Sequence, residues 1–86
     1  MKIVPMINER NNPVANVQIV QLADGREFLI HYGTPLVYVE KDGVIVTNSK
    51  HSVTSSRVIN SYLKQLGYPV SLSAPQHLLD FRLGEV

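Results

Sequence analysis

The chain has 86 residues, enough for one domain that buries about 60 to 65% of the surface exposed by its unfolded form, a thin margin that favours a partner subunit. Its 44% hydrophobic and 17% charged content excludes a disordered chain, and its formal net charge of +1 excludes an acidic nucleic-acid mimic without demanding or forbidding a nucleic-acid partner. The lack of cysteine excludes disulfides and thiolate metal sites and agrees with a reducing, cytoplasmic setting.

In chain order, Met1-Lys2-Ile3-Val4-Pro5-Met6-Ile7 is interrupted by Pro5, Asn8 and Glu9 too early to form the apolar core of a secretory signal. No export is expected. No apolar run approaches the roughly 20 residues needed to cross a bilayer, so no membrane partner is expected either. Residues 1–15 read as a lead-in loop. Its amide-rich part, Asn8-Glu9-Arg10-Asn11-Asn12-Pro13-Val14-Ala15-Asn16, is turn chemistry in which side chains satisfy backbone groups. The sharper reading of the same stretch is a recognition loop.

Two Asp-Gly pairs, Asp24-Gly25 and Asp42-Gly43, organise residues 16–47. Flanked by strand-forming residues, each is the strongest short-range hairpin signal, and together they pair Asn16–Leu22 with Arg26–Tyr32 and Leu36–Glu40 with Val44–Thr47. Gly33-Thr34-Pro35 joins the hairpins, giving a four-stranded antiparallel sheet. Alternation sets Val17 and Ile19 against Gln18, and Phe28, Ile30 and Tyr32 against Glu27, Leu29 and His31. The runs Leu36-Val37-Tyr38-Val39 and Val44-Ile45-Val46 do not alternate, which is the pattern of strands buried on both sides. One helix covers one face. The other face needs the C-terminal tail or a second copy of the chain, and a homodimer is the expected assembly.

Residues 52–66 carry the clearest local signal. Hydroxyl side chains lead into Val58, Ile59, Tyr62, Leu63 and Leu66 at three- and four-residue spacing, with Arg57, Asn60, Ser61, Lys64 and Gln65 opposite. This is an amphipathic helix packed on a sheet, with Ser52 or Thr54 as N-cap, Gly67 as the residue after its end and Pro69 preventing continuation. In the tail, 68–86, Val70 to Leu72 suit a short strand. Pro75 to Leu83 suit a last helix, with Pro75 in its first turn and Leu78, Leu79 and Leu83 inward. The fold class is α+β in a single domain over residues 1–86.

The chemistry-bearing residues exclude more than they assign. His31, His51 and His77 show no metal-ligand spacing, so no metal is expected. His31 belongs on the outer sheet face and His51 in the loop before the helix. No serine lies in a nucleophile-elbow turn, Asp24 and Asp42 are turn residues, no carboxylate pair stands out, and no phosphate-cradling glycine loop occurs. Neither catalysis nor a cofactor is expected.

A cationic strip remains. Lys50, His51, Arg57 and Lys64 accompany Ser52, Thr54, Ser55 and Ser56 at the helix start, with Arg57 and Lys64 seven residues apart on the outer helix face. Positive charge and hydroxyl or N–H donors are what a nucleic-acid backbone requires; the plain alternative is a solvated face with an ordinary cap. Tyr32 and Tyr38 offer base stacking, although tyrosine on a small sheet is more often half-buried packing.

Four segments add a family likeness: Met6-Ile7-Asn8; Asn12-Pro13-Val14-Ala15-Asn16; Phe28 through Val37; and Ser52 through Leu63. In this order and spacing they resemble a group of small uncharacterised proteins encoded mainly by bacteriophages. That group's pattern runs M-I-N, N-P-V-x-N-Q, F-x-S-Y-x-T-x-(I/V)-A and S-x-T-T-(S/G)-(R/K)-(Y/H)-x-N-x-F-L. Val17, His31, Val37, Ser55 and Val58 depart from it. The resemblance implies a phage origin and a compact domain.

These readings converge on a small non-enzymatic phage accessory protein in the host-cell cytoplasm. It is expected to bind single-stranded DNA, or the DNA of a replication or transcription complex, through Lys50, His51, Ser52, Thr54, Ser55, Arg57 and Lys64. The alternative is an inhibitor or modulator of a bacterial host protein such as RNA polymerase or a defence nuclease, engaging through exposed apolar strand residues and the Asn-rich loop.

Overall fold

In a computed structural model, which describes residues 1–67 and 71–86, the chain runs through β1 (Lys2–Ile7), β2 (Pro13–Gln21), β3 (Glu27–His31), β4 (Thr34–Glu40), β5 (Gly43–Thr47), α1 (Val53–Leu66), β6 (Leu72–Ala74) and α2 (Gln76–Gly84). The class is α+β. The sheet, however, is larger than the four antiparallel strands expected: the described residues form six strands in sequence order, antiparallel from β1 to β5, with β6 parallel to β5. The Pro69 helix stop and the start of the expected strand at Val70 lie outside the described residues.

β1 corrects the reading of residues 1–15 as a loop. Proline inside a short apolar run argues against a strand, but an edge strand tolerates the missing N–H. β1 pairs with β2 alone, turning Val4 and Met6 inward while Ile3, Pro5 and Ile7 are exposed. Between the pairs Pro5 with Gln18 and Ile7 with Pro13 the register slips, leaving residues 14–17 of β2 opposite Met6. Such a bulge bends the ribbon, and Asn16 within it has φ 62°.

The Asp24-Gly25 hairpin forms as expected, as a three-residue loop closed by Leu22 N–H donating to Arg26 C=O (2.8 Å) with Gly25 at φ 95°. Asp42-Gly43 behaves differently. Glu40 pairs with Gly43, so Lys41 and Asp42 form the turn and the glycine begins β5. The two-residue turn with both central residues at positive φ falls instead at Tyr32-Gly33 (51° and 77°), between the paired residues His31 and Thr34. That is the type I′ geometry whose twist matches flanking strands. β4 therefore starts before Pro35, and a further slip between Leu29 and Ile30 brings Leu36 and Val37 to the same side.

Both sheet faces are buried, as the unbroken apolar runs require. Val58 and Tyr62 of α1 close a core with Met6, Val17, Ile19, Leu29, Val37 and Val44. On the other face Leu79 of α2 packs with Val20, Phe28, Ile30, Tyr38 and Ala74, flanked by half-buried Leu78 and Leu83. The tail thus supplies the second cover, and a second copy is not needed for that purpose. Pro75 precedes α2 rather than standing in its first turn, its extended backbone (φ −61°, ψ 148°) marking the boundary.

Candidate nucleic-acid interface

The period of α1 sets which side chains reach solvent. Val58 and Tyr62 are buried and Ile59, Leu63 and Leu66 half-buried, while Thr54, Ser56, Arg57, Asn60, Lys64 and Gln65 are exposed. Ser52 caps the helix: its Oγ accepts the Ser55 backbone N–H at 3.2 Å. Gly67 ends it at φ 72°, its N–H donating to Leu63 C=O, a conformation that glycine adopts without a Cβ clash.

One expected ligand contact, Ser55, is used internally. Ser55 is 6% exposed and its Oγ lies 2.9 Å from His31 Nδ1 and 3.2 Å from Ser52 Oγ. The Ser55 hydroxyl is therefore turned into the molecule, while exposed Ser52 uses its hydroxyl in the cap. His31, expected on the outer sheet face, is 4% exposed. β3 is covered on both sides, so its polar end residue needs a partner inside, and Ser55 provides it. His51 is exposed but tethered, its Nε2 meeting Gln76 Oε1 at 3.1 Å.

Lys50, Thr54, Arg57 and Lys64 remain on the surface. Among the described residues the salt bridges are Arg26–Asp24 and Arg82–Glu85, so neither Arg57 nor Lys64 is neutralised by an ion pair there. Beside them stands a wall that the sequence did not reveal. The bulged β1–β2 ribbon leans on α1, where Gln65 Nε2 donates to Ile7 C=O at 2.9 Å. Its loop forms an open pocket of about 320 Å³ lined by Asn8, Glu9, Arg10 and Ser61. Ser61 shares a helix face with Arg57 and Lys64, four residues before and three after it, so Arg10 joins their surface across this pocket. Asn8 shapes the loop, its Oδ1 accepting the N–H groups of Arg10 and Asn12, each at 3.0 Å.

At the start of β4 a second exposed feature appears. Tyr32 projects from the type I′ turn, and its hydroxyl accepts a hydrogen bond from Asn16 Nδ2 at 2.9 Å. Tyr38, the other expected stacking residue, is buried, stacked on Phe28 with ring centroids 4.5 Å apart and bonded to Arg26 Nη1. It cannot meet a base.

The shifted titrations lie at the opposite end of β3. Asp24 is held below the usual carboxylate value chiefly by accepting the Arg26 backbone N–H, helped by the Arg26 side chain. Arg26 is pushed up by its hydrogen bonds to Tyr38 and Asp24. Among the described residues no group of three or more His, Cys, Asp or Glu side chains is placed to hold a metal ion, and no helix is long and apolar enough to cross a membrane.

Comparison with known proteins finds no match among curated proteins and none among solved structures. A family model does match, over residues 1–74. That span includes all the described strands, α1 and the Asn-rich loop, and leaves out α2. The chain belongs to the family of unknown function DUF8033.

Proposed function

We propose that this is a small non-enzymatic accessory protein of a phage that binds nucleic acid, single-stranded DNA or the DNA of a replication or transcription complex, through the outer face of α1. One observation carries the reading: Arg57 and Lys64 stand exposed on one helix face without an ion-pair partner among the described residues, with Arg10 on the facing loop. Glu9 lines the same pocket, so the positive field comes from the helix cations together with Lys50. Phosphate neutralisation by such cations dominates non-specific affinity and makes it steeply salt-dependent. The phage origin is supported by the four-segment resemblance.

The test is fluorescence anisotropy of labelled single-stranded and duplex DNA across a salt series. Arg57→Ala with Lys64→Ala should weaken binding and lower the magnitude of the log–log salt slope by about 1 to 2. Unchanged affinity and slope, or no binding by the parent protein at low salt, refutes the assignment. A second reading, a modulator of a bacterial host protein, draws on Ile3 and Ile7, exposed on edge strand β1 next to the Asn-rich loop. Recovery of one saturable protein partner from host lysate, insensitive to nuclease, would favour it over the first.

A further inference from the structure

Tyr32 sits where its own side chain is a disadvantage. Both central residues of the turn have positive φ, 51° at Tyr32 and 77° at Gly33, a conformation that favours Asn, Asp or Gly at the first position because a bulky residue crowds its own backbone there. Burial does not offset that strain, since Tyr32 is 72% exposed. Backbone strain at an exposed side chain points to a use for that side chain.

Two contacts orient the ring. Tyr32 N–H donates to Asn16 C=O at 3.0 Å and Asn16 Nδ2 donates to the Tyr32 hydroxyl at 2.9 Å. Asn16 is itself at φ 62°, a left-handed conformation that asparagine tolerates. The ring leans on His31, with centroids 4.6 Å apart and planes inclined at 50°. Its remaining surface borders an open pocket of about 330 Å³ lined by Asn16, Val17, Gln18, Tyr32 and Gly33. Tyr32 and exposed Gln18, lining the same pocket, combine a stacking surface with a two-way hydrogen-bonding group.

We propose that this pocket is a subsite for one unpaired nucleobase, stacked on Tyr32 with its edge met by Gln18. This rests on the reading of α1 as a nucleic-acid binder. His31, the neighbour of Tyr32, is bonded to Ser55 in the first turn of α1, so the platform adjoins the start of the helix that bears Arg57. A duplex keeps its bases stacked internally, so the subsite selects single strands.

The experiment uses Tyr32→Asn, which removes the ring and creates the preferred Asn-Gly turn, and Tyr32→Phe, which keeps the ring. Anisotropy is read on a labelled deoxythymidine strand, an abasic strand of equal length and a duplex, with melting temperature read alongside. Tyr32→Asn should melt higher, bind the thymidine strand about tenfold more weakly and bind the abasic strand and duplex as the parent does. Tyr32→Phe should retain thymidine binding. If Tyr32→Asn leaves thymidine affinity intact, loses all three probes equally, or melts lower, the subsite is refuted. In the first of those cases, a response to Arg57→Ala with Lys64→Ala leaves the α1 reading standing. A parent protein that ignores all three probes removes both.

Discussion

His31 Nδ1 and Ser55 Oγ meet at 2.9 Å inside the molecule, joining the end of β3 to the first turn of α1 across 24 residues of sequence. Ser55 also donates its backbone N–H to the cap residue Ser52. This buried pair ties the capped first turn to the sheet, while Val58 and Tyr62 in the core turn Arg57 and Lys64 outward.

Ser55→Ala should therefore cost more than a lost hydroxyl on a helix usually does. It leaves a buried imidazole nitrogen without its partner, a penalty of about 1 to 3 kcal/mol. Urea denaturation should show the loss, and the double variant with His31→Leu should recover part of it, because removing both polar groups removes the unmet one. Equal costs for the single and double variants would mean that the pair contributes nothing as a pair.

Gln76 plays the corresponding part on the other face. Its Oε1 accepts from Thr47 Oγ1 at 2.7 Å and from His51 Nε2 at 3.1 Å, while its Nε2 donates to Pro35 C=O at 2.6 Å and to Asp80 Oδ1 at 3.1 Å. One amide at the start of α2 thus ties together β4, β5 and the loop before α1. Gln76→Ala should destabilise the fold by about 1 to 3 kcal/mol and speed hydrogen exchange in α2 before α1. Gln76→Glu replaces the donor to Pro35 with a second acceptor and should not rescue it.

Acid should act on the Asp24 turn. The Asp24 carboxyl is held below its ordinary value of 3.8 by the Arg26 N–H and then by the Arg26 guanidinium, 2.8 Å away. A carboxylate lowered in the folded state contributes stability that is present above 3.8 and disappears as pH falls through the lowered value. Asp24→Ala should accordingly melt below the parent protein at neutral pH, and the two curves should converge as pH drops below 3.8. Melting temperatures across an acid series would check this. Parallel curves would count against it.

The sequence showed what is local and hid what is not. α1 was legible because its apolar period, capping serine and terminal glycine lie within one segment, and Arg57 and Lys64 followed from that period. The runs from Leu36 and from Val44 correctly signalled cover on both faces. β1 was hidden by Pro5, whose tolerance depends on being at an edge. The turn at Tyr32-Gly33 was hidden because tyrosine is not a turn former, and Asp42-Gly43 was assigned a turn role that its glycine does not take. Arg10 and the His31–Ser55 pair were invisible for a common reason: each depends on a contact between distant segments that no spacing encodes.

The Asn-rich loop offers a way to separate stability from charge placement. Asn8 Oδ1 accepts two backbone N–H groups, from Arg10 and Asn12, and Asn8 N–H donates to Asn12 C=O at 2.8 Å. Asn8→Ala removes both side-chain bonds, which should cost about 1 kcal/mol and increase proteolytic cleavage at residues 8–12. Asn11 has φ 63° in the same loop, so Asn11→Gly should leave the loop intact and stabilise it slightly. If Arg10 acts with the helix cations, Asn8→Ala should also weaken DNA binding, as Arg10→Ala does, while Asn11→Gly leaves it unchanged. Proteolysis and anisotropy on the same three variants distinguish these effects: a loop that loosens without any change in binding would confine the interface to α1.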